Sequence, residues 1–214
     1  MTLLYTYDKA GQLKTAQVVL DNTSQTLKYT YDGAGNRIYE ELVNASNQQL
    51  SSYQYAYLPG NYLSQRVGQT TLGYSWGIFG QLTYKSTGDQ YIYDTTKSLI
   101  SVQNAGAQLA NYKYDALGNR IVINENGTTT TVLTSGNDAI YEIVSSVSGD
   151  LTTSKYVIVN GKHLAKIVKE GSGSPQKLFH HVDLAGSVRA VTDINGQVVE
   201  RYDYDPFGYV SSLS

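Results

Sequence analysis

Cysteine is absent from all 214 residues, so neither a disulfide nor a thiolate metal site can form, and the fold is indifferent to redox compartment. Proline is scarce, 3 residues against 20 glycines, a balance that suits many tight turns rather than a disordered linker. Phenylalanine (3) and tryptophan (1) are nearly missing, while tyrosine reaches 20. Charge is balanced, 16 Lys and Arg against 18 Asp and Glu for a net of −2, and no basic stripe or acidic tail gathers it. That excludes an electrostatic footprint for nucleic acid. No run approaches the ~18 apolar residues of a membrane-spanning helix, and the opening residues 1–8 lack a basic region followed by an apolar core. No window carries a helical stripe bracketed by caps, so very little helix is expected. Gly77-Ile78-Phe79-Gly80 and the Gly/Ser stretch 170–175 open no helix and lack Gly-Lys-Ser/Thr, so neither is a phosphate loop and no cofactor is implied.

What the chain has instead is one phrase, repeated. Tyr-x-Tyr-Asp followed three residues later by Gly occurs at Tyr5, Tyr7, Asp8 and Gly11, at Tyr29, Tyr31, Asp32 and Gly35, and at Tyr112, Tyr114, Asp115 and Gly118. At Tyr91, Tyr93 and Asp94 the glycine is replaced by Lys97. A degenerate copy at Tyr74, Trp76 and Gly80 puts Gly77 in the Asp position, and Tyr55–Asn61 keeps the tyrosines but loses the Asp. The second aromatics fall at 7, 31, 57, 76, 93 and 114, spacings of 17 to 26 residues. Such repetition calls for a hairpin array and an extended surface, not a single active site.

Alternating and β-branched runs at 27–31, 53–57, 120–123 and 155–159 read as strands. Turn signals separate them, among them Asp21-Asn22-Thr23-Ser24, Asn44–Asn47, Asn126-Gly127, Asn160-Gly161 and Asn195-Gly196, with Asn-Gly expected in type I′ turns. In the repeat, Asp starts a type I turn and its carboxylate accepts an N–H two residues on, while Gly takes the left-handed conformation and re-enters the strand through a bulge. The two tyrosines of a copy share one face, and successive hairpins are expected to stack them into cross-strand aromatic ladders.

Two constellations raise chemistry. His180, His181 and Asp183 invite metal ligation, but a closed site needs a further ligand and His163 is the remaining histidine; side-chain hydrogen bonds pinning a strand corner are the simpler reading. Asp203 and Asp205 are two apart, as an acid–base pair would require, yet Asp205-Pro206-Phe207-Gly208 has turn chemistry with Pro at the second corner. A turn is duplicated along a chain and an active site is not, so the repeated Asp residues read as structural. No catalytic, metal or cofactor residue is assigned. Exposed tyrosine rows leave one alternative, a carbohydrate-binding surface that stacks on sugar rings.

These residues resemble the YD repeats of the Rhs (rearrangement hotspot) family, whose relatives include bacterial wall-associated proteins, the C components of insecticidal toxin complexes and animal teneurins. The strongest match is His181, Asp183, Gly186, Ser187, Arg189, Thr192 and Asp193, then Tyr202, Tyr204, Asp205, Pro206, Phe207 and Gly208, similar to the family's core-associated pattern. Leu184-Ala185 departs from it, where a second His or a polar residue followed by Leu is usual. The resemblance implies an all-β chain of consecutive antiparallel hairpins in a curved, spiralling sheet, part of a shell or barrel. It implies three stretches of one continuous array: YD-repeat hairpins at 1–124, divergent hairpins with a Gly/Ser loop at 125–175, and a core-associated segment at 176–214. It implies a secreted or cell-surface location and a non-catalytic wall that encloses a toxin cargo or presents an adhesive surface. Expected partners are other segments or copies of the same shell, a toxin cargo or a cell-surface glycan, with no nucleic acid and no membrane span. The repeat is under way at Tyr5 and a motif closes just before residue 214, so the chain reads as a fragment of something longer whose open edges could pair copies into filaments.

Overall fold

A computed structural model describes residues 2–20 and 23–213, with twenty β-strands and no helix among them. The turn expected at 21–24 falls partly outside the described residues. The chain packs as two compact units, Met1–Tyr91 and Ile92–Ser214. The first holds β1 (Thr2–Tyr7), β2 (Leu13–Leu20), β3 (Thr23–Tyr31), β4 (Arg37–Asn44), β5 (Gln49–Leu58), β6 (Tyr62–Val67), β7 (Thr71–Trp76) and β8 (Leu82–Lys85). Strand β9 (Asp89–Tyr93) carries the division. The second unit holds β10 (Leu99–Asn104), β11 (Ala107–Tyr114), β12 (Arg120–Glu125), β13 (Thr128–Ser135), β14 (Asp138–Ser145) and β15 (Leu151–Val159). It continues with β16 (Lys162–Glu170), β17 (Gln176–Val182), β18 (Val188–Thr192), β19 (Val198–Tyr204) and β20 (Val210–Leu213).

Within each unit every strand pairs antiparallel with its neighbours in sequence. Within each unit the strand–strand packing is between sequence neighbours. The energetic consequence is a thin core. Among the described apolar side chains Ala16, Tyr29, Val43, Ala110, Leu178 and Val191 are buried, with Ser154 the polar addition. The accessible surface is 13893 Å², against about 9,800 Å² for a compact monomer of this mass and roughly 11,800 Å² for two separate compact halves. Side chains therefore hold this fold through their neighbours along and across the strands rather than through an interior.

Two hairpin connections recur. Ala105-Gly106, Asn126-Gly127 and Asn160-Gly161 have positive φ at both central residues, as type I′ turns require. The other recurring connection is the Asp-x-x-Gly unit. Register sorts the second unit's side chains onto two unlike faces. One transverse row runs Tyr112, Ile123, Thr130, Val144 and Thr152. Its face also holds the buried Ala110, Ser154, Leu178 and Val191. The opposite face carries the row Leu133, Tyr141, Lys155, Ile167 and Lys177, and with it the exposed Leu133, Val157 and Phe179.

Candidate functional site

The repeated turn is the most defined feature of the chain. In the Asp32 copy the Asp32 N–H donates to the Asn36 carbonyl (2.9 Å) and the Gly35 N–H to the Asp32 carbonyl (3.1 Å). Asp32 Oδ1 accepts the N–H groups of Ala34 (2.9 Å) and Asn36 (2.8 Å), so one carboxylate oxygen ties down two donors. Gly35 has φ 86°, and the strand register slips one residue between Thr30 and Tyr31. The same bonds recur around Asp8, Asp115, Asp183, Asp193 and Asp205, closing on Gly11, Gly118, Gly186, Gly196 and Gly208, and around Asp94 with Lys97 at φ 68°. Donors aimed at a carboxylate favour its charged form. The Asn36 amide first and the turn N–H groups next hold the Asp32 carboxyl below its usual value. The leading cause is the Thr96 hydroxyl at Asp94, Asn119 at Asp115, Arg189 at Asp183 and the Gln197 N–H at Asp193.

The geometry outlasts its consensus. Asn44 accepts the N–H groups of Ser46 (3.0 Å) and Gln48 (2.9 Å), with Asn47 at φ 60° in the glycine position. Ser146 accepts the N–H of Asp150 (3.2 Å) in a turn closed by Gly149. Gly77 has no side chain to offer, and Gln81 takes over: its Oε1 accepts the Phe79 N–H (3.1 Å) from the other side of the turn. A Cβ at residue 77 would stand 2.6 Å from that amide, so glycine there makes room for the substitute. Asn195-Gly196, expected as a type I′ turn, is instead the last half of the Asp193 copy; only Gly196 has positive φ. The Asp193 carboxylate, by claiming the Asn195 and Gln197 N–H groups, selects this turn.

Side chains splice each turn to the next. Asn36 Nδ2 donates to Asp32 Oδ2 and to Asn61 Oδ1, both at 2.9 Å, and Asn119 Nδ2 likewise to Asp115 Oδ2 and the Gly136 carbonyl. The second aromatic of a copy reaches across to the start of the preceding strand. Tyr31 Oη donates to the Leu13 carbonyl (2.9 Å), Tyr57 Oη to Arg37 (2.9 Å), Trp76 Nε1 to Leu63 (2.7 Å) and Tyr114 Oη to Leu99 (2.8 Å). Backbone pairing has ended at those points, so the ring continues the ladder where two hairpins would splay apart. Trp76 serves as well as Tyr because the bond needs only a donor at the end of a large ring.

In the copies at Tyr29, Tyr55 and Tyr112 arginine stacking takes the place of the expected aromatic ladders. Each tyrosine strand is flanked by a return strand, which sets tyrosines of successive copies two strands apart, about 9.6 Å. Arginine fills the gap. Arg37 lies over the rings of Tyr29 (5.6 Å) and Tyr55 (4.9 Å) and pairs with Glu40 (2.9 Å), which also accepts from Tyr55 Oη (3.3 Å). Arg120 lies over Tyr112 (4.2 Å) and Tyr114 (5.7 Å), while Tyr112 Oη donates to Glu125 (2.6 Å). Burial first, then the adjoining carboxylate, pushes the Tyr55 and Tyr112 hydroxyls up to about 12. Tyr5 and Tyr7 on β1 remain exposed. Tyr74 sits opposite Lys85, and Tyr91 and Tyr93 lie on β9.

His181 and Asp183 do not converge. A register slip between His181 and Val182 breaks their alternation. His181 Nε2 bonds Thr192 Oγ1 (2.9 Å), while Asp183 pairs with Arg189 (2.8 Å) and caps its own turn through the Ala185 and Ser187 N–H groups. His180 Nδ1 faces the His163 carbonyl (3.2 Å), and burial lowers its pKa. Arg189 continues onto the Tyr204 ring (5.1 Å), which stacks on Tyr202 at 6.4 Å. Asp203 stays in β19 opposite Ser212, while Asp205 caps the turn that holds Pro206, Phe207 and Gly208. Among the described residues no group of three or more His, Asp and Glu could hold a metal ion.

The family model described as the Teneurin YD-shell matches residues 1–214, the full length of the chain. The chain belongs to the teneurin YD-shell family. It is 28% identical over 206 residues to the tRNA3(Ser)-specific nuclease WapA of Bacillus spizizenii, covering 95% of this chain and 7% of that protein. The tRNA nuclease WapA of Bacillus subtilis strain 168 matches at the same 28% over 206 residues. This YD-shell chain thus spans about 7% of the length of the curated relatives it matches. The solved Photorhabdus luminescens Tc holotoxin pore matches 99% of the chain and 17% of its own at 14% identity, with a TM-score of 0.49. A crystal structure of TcdB2-TccC3 matches at 13% identity, with a TM-score of 0.34 over 99% of this chain and 18% of its own.

Within this YD-shell chain, the turn copies at Asn44 and Ser146, the Asn splice and the arginine stacks were the recurring contacts that sequence reasoning missed. One signal was available: Gly-Asn-Arg follows both the Asp32 and the Asp115 copies.

Proposed function

We propose that the chain is a non-catalytic stretch of wall in a secreted or cell-surface YD shell, one that encloses a polypeptide cargo such as a toxin or presents an adhesive surface. The observation that carries this reading is the packing within each unit, where the described strands lean on their sequence neighbours and the polar residues of the motif are used up in turns and splices. Such a sheet has no interior in which to desolvate a substrate, but it extends by adding hairpins. The nuclease activity named for the WapA relatives belongs, on this reading, to a part of those proteins beyond the span this chain matches. Strands β1 and β20 take further repeats of the same shell, or second copies, on their outer edges. Sugar stacking has less support, because Arg37, Arg66 and Arg120 already cover the rings of Tyr55, Tyr53 and Tyr112.

Purified chain incubated with tRNA should leave it intact. Negative-stain microscopy with light scattering should find either a monomer or edge-paired assemblies, unchanged by added glycans. Cleavage that disappears when Asp203 and Asp205 are both changed to Asn would overturn the non-catalytic reading.

A further inference from the structure

Charge in the second unit is sorted by face. The strand glutamates Glu125, Glu142, Glu170 and Glu200 fall in register with the Tyr112 face, where Tyr112, Tyr156, Lys166 and Tyr202 engage three of them. Lys113, Lys155, Lys169, Lys177 and Arg201 fall on the opposite face, and all five are exposed. Among the described residues none of the five takes part in a salt bridge. Asp138, opposite Ser135, and Asp203 are strand carboxylates on that side.

The same face has a hollow of about 410 Å³ whose walls include Tyr141, Leu151, Lys155, Ile167, Lys169 and Pro175. No carboxylate lines it. Lys155 Nζ stands 6.0 Å from the Tyr141 ring centre, and Leu151 is half exposed at 49%. Lys177 is the neighbour of Ile167 on the next strand, so Lys155 and Lys177 flank the floor two strands apart, about 9.6 Å. An apolar floor ringed by unpaired ammonium groups takes an apolar side chain between carboxylates. The neighbouring exposed Leu133, Val157 and Phe179 prolong the apolar part along the sheet.

We propose that this face of Ile92–Ser214 docks an acidic polypeptide segment, extended, with apolar residues set between its Asp and Glu side chains. Charge complementarity selects the acid, and the hollow with its apolar surround selects a peptide over a uniformly polar polyanion. The inference rests on face and register and stands whether or not the chain is shell wall.

The test uses the full 214-residue chain and fluorescence anisotropy with three probes: a labelled Glu/Leu/Phe peptide, the same peptide with Lys for every Glu, and labelled polygalacturonate. The acidic peptide should bind, with affinity that falls as salt rises. The pair Lys155→Glu and Lys169→Glu should weaken it about tenfold or more. Lys9→Glu with Lys14→Glu, in the other unit, should leave it unchanged, and circular dichroism melting checks that both variants fold. No binding of the acidic peptide, equal binding of the lysine peptide, or indifference to the Lys155 and Lys169 changes overturns the proposal. Binding of polygalacturonate alone would make the face a site for anionic sugar and overturn it equally.

Discussion

Lys97 and Gly118 occupy the same corner of two copies of one turn, at φ 68° and 85°. A side chain in the left-handed region crowds the following carbonyl, so Lys97→Gly should stabilise the protein by about 0.5–1 kcal/mol once the freer unfolded chain is counted. Nothing lies within 4 Å of a Cβ built on Gly118, so Gly118→Ala should cost about 1 kcal/mol through backbone strain alone. Urea melts of both variants check the pair; opposite signs are expected. The turn carboxylates Asp32, Asp94, Asp115, Asp183 and Asp193 are all depressed in the folded state. Their support is therefore complete above the ordinary carboxylate pKa near 3.8 and is lost as pH falls through the lower folded values. Acid titration of the melting temperature should show a steep loss beginning below about pH 4. Asp32→Asn should retain more stability than Asp32→Ala, since Asn44 makes the same two bonds.

At the scale of the hairpin, the aromatic donor that crosses to the preceding strand is the joint. Tyr114→Phe removes the bond to the Leu99 carbonyl and keeps the ring, and should cost about 1 kcal/mol in chemical denaturation. The Tyr55 and Tyr112 hydroxyls are raised to about 12, and Tyr202, through Glu200 first and burial second, also to about 12. Their contribution to stability is present below pH 10 and lost as pH rises toward 12. Phenolate absorbance should accordingly resolve a late class of tyrosines that ionises with alkaline unfolding. Hairpins, turn geometry and the role of Gly were legible in the sequence because Asp-x-x-Gly is local chemistry, decided within five residues. The arginine stacks were not legible, because which ring meets Arg37 depends on register across two strands. The Asn44 and Ser146 copies escaped for a different reason. An amide or hydroxyl oxygen also accepts from a backbone N–H, as Asn44 and Ser146 do, so the shape survives when the letters change.

At the scale of the unit, strands packed only on their sequence neighbours have no shared interior through which a defect spreads. Among the described residues Val191 is the most completely buried side chain, at 1% exposure, and Val191→Ala should cost about 2 kcal/mol. Amide exchange should quicken in β17, β18 and β19 and fade with strand distance, reaching no further than β13. Uniform quickening across the second unit would mean that it unfolds as one block, against the neighbour-only packing. The turn that Asp205 caps was legible in Asp205-Pro206-Phe207-Gly208. The sorting of lysine and glutamate to opposite faces was not, because every register slip reverses the alternation a reader would count.

Neighbour-only pairing also bears on time. Folding of β proteins is ordinarily slow because distant segments must find each other before any contact rewards them. Here each strand meets a partner already tethered by a short turn, so the contact order is low for a chain without helix. A hairpin can form once its own two strands exist, and the next can be laid against it. Such connectivity suits folding during synthesis, hairpin by hairpin once three or more strands are out, with an unpaired edge exposed at the growing end.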